Sequence, residues 1–131
     1  MHVRRGDVGD KLQRGRFTSN GLVAHCALTA LRSFERARTH LHIFSEGTVA
    51  DFGPLRKVWE PSRTFWHLNE PLADSFHHMA AADALVVAKS SLSDCAALLS
   101  RGRVFGAPPV GGQIRWMQRH FALHDCLGSM K

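Results

Sequence analysis

Apolar positions along this chain switch between a helical period and short β-rich runs. From about Asn20 to Ala37, Leu22, Val23, Cys26, Ala27, Ala30, Leu31 and Phe34 fall on one stripe, while Thr29, Arg32, Ser33 and Arg36 face away. That spacing predicts an amphipathic helix, with Thr18, Ser19 and Asn20 available as caps. His40 to Phe44 reads as a strand ending at Ser45-Glu46-Gly47. Residues 48–62, around Gly53-Pro54 and Pro61, predict an irregular connection, and Arg63 to Leu68 another short strand. Pro71 opens a helix to about Ala82, burying Leu72, Phe76, Met79 and Ala80. Ala84 to Ala88 is a β-rich run, Leu92 to about Ser100 a helix, and Arg103 to Phe105 a strand. A Pro/Gly-rich turn spans Gly106 to Gly112, and residues 113–127 are expected to form a final helix.

The start of the chain is different. Met1-His2-Val3 is followed directly by two arginines, whereas a buried parallel strand normally supplies several apolar residues. The segment reads as the end of a strand, and the chain as a fragment opening in mid-strand. Gly6 to Ser19, with Gly6, Gly9 and Gly15, reads as a loop. Strands alternating with helices predict an α/β fold with a Rossmann-like, doubly wound parallel sheet. Residues 1–131 then form one domain, with residues 107–131 as a C-terminal extension. Right-handed crossovers would gather the strand-to-helix loops at one sheet edge, where such folds bind ligands.

A length of 131 residues suffices for one buried core, and 44% hydrophobic residues exclude a disordered chain. The net charge of +6 favours anionic partners, or is simply a basic surface. No run approaches the roughly 20 apolar residues of a membrane span, and charges interrupt any signal-like N-terminus. Cys26, Cys95 and Cys126 form no CxxC pair. Cys26 and Cys95 fall on apolar helix faces, so buried thiols are expected rather than a disulfide framework.

Two stretches carry candidate chemistry. In His2-Val3-Arg4-Arg5-Gly6-Asp7 the two arginines point to opposite faces of a strand end. One can bind a phosphate through fixed bidentate donors while the other pairs internally, Asp7 being the nearest carboxylate. His2 shares a face with Arg4. In the second stretch, Ser90 and Ser91 follow the most apolar strand and open a helix, where free N–H groups and hydroxyls make an anion site. Ser91-Leu-Ser-Asp94 also fits a capping box with no ligand. Asp74 and His78 lie four apart on a helix and read as a surface pair, or as a carboxylate for a base edge. His40 and His42 share a strand face with no carboxylate or cysteine evident nearby, so no metal is expected.

His2-Val3-Arg4-Arg5-Gly6-Asp7 resembles the HxRR-type peptide of the fucosyltransferase superfamily of α1,2-, α1,6- and protein O-fucosyltransferases. In the same order, His42-Ile43-Phe44-Ser45 is similar to the strand ending in Phe-Ser of the α1,2 enzymes. Asp74-Ser75-Phe76-His77-His78-Met79 is similar to the segment entering the last nucleotide-binding unit. Ala84 to Ser93 is similar to the strand-Ser-Ser/Thr-Phe-Ser peptide, with Leu92 where Phe is usual. The resemblance covers roughly residues 2–106 and implies one lobe of a two-lobed (B-type) glycosyltransferase, the C-terminal GDP-fucose-binding lobe. It implies inverting, metal-independent transfer of fucose from GDP-fucose to a glycan or protein hydroxyl, with a partner N-terminal lobe. Carried over by position, Arg4 supports the leaving GDP as the catalytic cation and binds the donor with His2, Asp74, Ser90 and Ser91. Arg5 and Asp7 give structural support. Ser75 is the literal match to the guanine-contacting position if the spacing is one residue off. No general base is identified. Relatives of this kind occupy the Golgi or endoplasmic reticulum in eukaryotes and the cytoplasm in bacteria. The rival readings are a catalytically silent nucleotide- or glycan-binding remnant and a basic nucleic-acid-binding domain. The second lacks a recognition fold or aromatic-rich basic patch.

Overall fold

A computed structural model describes residues 1–8, 15, 17–106 and 123–127. Among these the chain is mixed α/β with short parallel strands. Strand β1 (Leu41–Ser45) pairs in parallel with β2 (Thr64–Leu68), Ile43 lying opposite Trp66. Strand β4 (Arg103–Gly106) pairs in parallel with β3 (Ala84–Val86) on one side and β5 (Leu123–Asp125) on the other. The helices are α1 (Asn20–Leu31), α2 (Leu72–Ala81) and α3 (Ser91–Leu99). No helix among the described residues is long and apolar enough to cross a membrane.

The first three residues join the two sheets. Phe44 N–H donates to Met1 O at 2.9 Å, Val3 N–H to Phe44 O at 3.0 Å, and His2 N–H to Val86 O at 3.0 Å. His2 also forms a parallel bridge with Phe44. This short segment therefore has backbone partners on both flanks, as a buried strand requires.

Successive strand residues point to opposite faces, and the core divides accordingly. Ile43, Val86 and Phe105 pack with Val23, Cys26, Ala27 and Ala30 of α1. One residue earlier or later in each strand, Phe44, Leu85 and Val104 pack instead with Met79 of α2 and Ala96 and Ala97 of α3. The stripe of α1 is the one its apolar spacing predicts, and Ser19 Oγ caps it by accepting from Leu22 N–H at 3.3 Å.

Several expectations need correction. Helix α1 stops at Leu31 rather than Ala37: Arg32 and Ser33 are exposed, and the chain closes in tighter turns from Ser33 to Ala30 and Phe34 to Leu31. The connection after β1 is not irregular but 3-10 helical at Val49–Lys57 and Pro61–Arg63. Gly53 at φ +40° lets the first of these turn sharply enough to bury Phe52 and Leu55 completely beneath α1. Within the helix expected over 113–127, residues 123–125 are a strand, because β4 offers them an open edge; residues 113–122 lie outside the described set. Cys126 follows with its N–H on Gly106 O at 3.1 Å. Cys95 is exposed rather than buried, since α3 turns Ser93, Asp94, Ala96 and Ala97 inward. Cys26 and Cys126 are buried together, and the hydrogen bond between their sulfurs holds the Cys26 thiol above its ordinary range.

Gly102 precedes β4 so closely that a Cβ there would collide with Ala82 O and lie 2.6 Å from Asp83 O. Backbone atoms cannot yield as a flexible side chain can. Gly102→Ala is expected to lower the unfolding free energy by about 2 kcal/mol or more, read by urea denaturation; an unchanged midpoint would contradict this packing.

Candidate functional site

Four loops meet where the strands end. Arg4, Arg5 and Asp7 follow the N-terminal segment, Ser45 and Glu46 end β1, Asn69 and Glu70 follow β2, and Ser90 and Ser91 follow β3. All line one cavity of about 510 Å³, together with His2 and Ser75. Larger cavities of about 590 and 650 Å³ contain none of Arg4, Ser90 or Ser91. Volume alone does not single out the site; the convergence of strand ends and charged groups does.

Arg4 is half-buried, and its guanidinium is oriented by Asp7, with Nη2 to Oδ2 at 2.8 Å and Nε to Oδ1 at 3.4 Å. Asp7 therefore serves Arg4 rather than Arg5. Arg5 turns the other way. It donates to Arg4 O at 2.7 Å and to Asn20 Oδ1, and its guanidinium lies 4.7 Å from the centre of the Phe17 ring. Burial lowers its pKa, partly offset by Asp51. Asn20 in turn donates to Asp51 O at 2.8 Å, so Arg5 ties the loop to α1 and the turn beneath it. Gly6 follows at φ +75°, and a Cβ there would collide with the Glu46 carboxylate.

His2 is only 8% exposed, and its Nδ1 has no hydrogen-bond partner. Desolvation first, then the positive amino terminus and Arg4, push its pKa down to about 4. At neutral pH it is an uncharged imidazole, able to accept or donate by its tautomer. Ser90 is the N-cap of α3 and is buried, yet its hydroxyl makes no bond to the helix. The capping box expected of Ser91 and Asp94 is absent. The helix starts one residue earlier, and the Asp94 carboxylate is fully buried without a hydrogen-bond partner, its pKa pushed up to about 6 by desolvation. Free N–H groups remain at the start of α3 beside the cavity.

Asp74 does not join this cluster. It is exposed in the first turn of α2, while its neighbour Ser75 lines the cavity. Sequence reasoning missed Ser45, whose Oγ donates to Val3 O at 2.6 Å and pins the segment before Arg4. It also missed Asn69 and Glu70. Their position directly after a strand was the available signal, because every such loop reaches the same edge. His42 Nδ1 lies 2.9 Å from His67 Nε2, and it is His67 rather than His42 that meets a carboxylate, its Nδ1 lying 2.9 Å from Glu70 Oε1. Among the described residues no three His, Cys, Asp or Glu side chains are grouped to hold a metal ion.

Comparison with protein-family models, curated proteins and solved structures finds no significant match to this chain.

Two buried groups give opposite pH signatures. His2, lowered from 6.5 to about 4, contributes stability at neutral pH that is lost as the pH falls through that interval. Asp94, raised from 3.8 to about 6, costs stability above pH 6 and costs nothing below 3.8. Asp94→Asn is expected to stabilise by about 1–2 kcal/mol at pH 7, with the gain vanishing near pH 3.5. Denaturation at both pH values checks this; a variant less stable at pH 7 would contradict it.

Proposed function

We propose that this chain is the donor-binding lobe of a fucosyltransferase-like glycosyltransferase, accepting GDP-fucose and supporting inverting, metal-independent transfer to a glycan or protein hydroxyl. The observation that carries the reading is the convergence of Arg4, His2, Ser90 and Ser91, some 85 residues apart in the chain, on one cavity at the strand ends. Arg4 supplies a cation for the diphosphate. Its bond to Asp7 holds the fork in place until a phosphate competes for it. The unbonded hydroxyl of Ser90 and the start of α3 supply neutral donors. His2, uncharged and unpartnered at Nδ1, has an unsatisfied hydrogen-bonding atom beside them. As the sugar–phosphate bond breaks, negative charge grows on the diphosphate, where preorganised donors act most strongly.

The finer fold belongs to the same proposal. Placing Met1–Val3 between β1 and β3 gives one sheet in the order β2, β1, Met1–Val3, β3, β4, β5, the order of doubly wound nucleotide-binding sheets. The ligand cavity then lies at the switch point between Met1–Val3 and β3. The division of the core into an α1 cluster and an α2–α3 cluster supports helices on both faces. In place of Asp74, Ser75 is the α2 residue assigned to the nucleotide. The second reading, a silent binding remnant, shares the cavity and differs only in lacking turnover.

Calorimetry with GDP, UDP and ADP tests the assignment. GDP is expected to bind selectively, and Arg4→Ala to weaken it about 10- to 100-fold through loss of a charged hydrogen bond. Equal affinity for the three nucleotides, or an Arg4→Ala variant that binds as the parent does, would contradict the donor-site assignment.

A further inference from the structure

The donor half of such a reaction leaves one need unmet, a group to take the proton of the attacking hydroxyl. We propose that Glu70 is this general base and that His67 and His42 are the residues that position it. The inference rests on the donor-site reading above.

The backbone fixes where Glu70 stands. Asn69 adopts φ +59°, a left-handed conformation that asparagine tolerates better than most residues. Its N–H donates to Ser45 O at 3.0 Å, and its side-chain amide exchanges two hydrogen bonds with Gly47, each 3.0 Å. The loops after β1 and β2 are thereby tied together at the cavity rim. The turn folds the Glu70 side chain back onto His67, three residues earlier, with Oε1 at 2.9 Å from Nδ1.

The imidazole behind that carboxylate is itself held. His67 stacks on Phe44 with ring centres 4.5 Å apart and on His42 at 5.2 Å, and its side chain is 18% exposed. With Nδ1–H donating to Glu70 at 2.9 Å, Nε2 is placed to accept from His42 Nδ1–H at 2.9 Å. Both N–H groups then point toward the carboxylate. Oε1 of Glu70 is engaged by this chain, while Oε2 keeps its lone pairs for a substrate in the cavity that Glu70 lines with Arg4. A base oriented by a second group, itself oriented by a third, is the arrangement general-base catalysis needs. The other cavity carboxylates lack it: Asp7 is engaged by Arg4, and Glu46 lies over Gly6 with no imidazole behind it.

The step balances as follows. The acceptor hydroxyl oxygen forms a bond to the anomeric carbon of a nucleoside-diphosphate sugar. The bond from that carbon to the β-phosphate oxygen breaks, and its electron pair leaves with the diphosphate. The hydroxyl proton moves to Oε2 of Glu70 and passes to solvent after product departs. Water can replace the acceptor in the same step.

Hydrolysis of GDP-fucose by the full chain, read beside GDP calorimetry, tests this. Glu70→Gln is expected to lower kcat about 100-fold or more while GDP affinity stays within about twofold, because Gln keeps the shape and loses the basic oxygen. His67→Ala is expected to lower kcat about tenfold at unchanged KM, and His67→Asn, whose amide donates in place of Nδ1, to restore most of it. Glu70→Gln hydrolysing at the parent rate would overturn the proposal. So would a parent protein that binds GDP yet hydrolyses GDP-fucose no faster than buffer. A parent that binds no GDP is a different failure: it removes the donor-site reading itself, and this inference with it.

Discussion

The structure depends on three backbone hydrogen bonds made by its first three residues. Phe44 N–H to Met1 O, Val3 N–H to Phe44 O and His2 N–H to Val86 O insert a short segment between β1 and β3. Apart from it, the described strands form one two-stranded and one three-stranded sheet. With it, Met1 and Val3 enter the α1 core cluster, and His2 faces the other way beside Phe44. The same insertion delivers Arg4 to the sheet edge one peptide later. Ser45 Oγ closes the arrangement on Val3 O. Fold and candidate site therefore share one set of contacts.

The site is built from groups that do little for stability. Asp94 is a buried carboxylate without a hydrogen bond, His2 a buried imidazole with an idle nitrogen, and Asn69 a residue in left-handed backbone. Each costs on the order of 1–3 kcal/mol unless something else offsets it. All three stand within or beside the loops at the strand ends. Departures from good packing that collect in one place are what a binding site looks like when a fold tolerates it. The arginines divide the labour. Arg5 also lines the cavity, but its guanidinium is consumed by Asn20, Phe17 and the Arg4 carbonyl, which leaves the guanidinium of Arg4, oriented by Asp7, for a ligand.

The sequence carried the order of elements and the core stripe of α1, because apolar spacing is local and the helix buries what it advertises. It also pointed to the two stretches, Arg4 and Ser90-Ser91, that line one cavity. It could not give the pairing of Met1–Val3, whose stability comes wholly from partners some 40 and 85 residues away. Leu123–Asp125 is a strand inside a stretch whose sequence predicts helix for the same reason: an open sheet edge outweighs local propensity. Asp94 matched a capping pattern by type and spacing, yet the helix begins at Ser91 with Ser90 as its N-cap and turns that carboxylate inward. The chain Glu70, His67, His42 was invisible because its members sit on two strands and a loop, joined only by the parallel register that sets Phe44 opposite His67.

We propose that two distant stretches make one diphosphate site at the strand ends. Backbone and imidazole NMR spectra of the protein titrated with GDP test it most directly. The account predicts shifts concentrated at the Ser90 and Ser91 amides, residues 4–7 and the His2 ring, with the strand starts near Arg63 and Arg103 unmoved. Shifts centred on those strand starts, or none at saturating GDP, would contradict it.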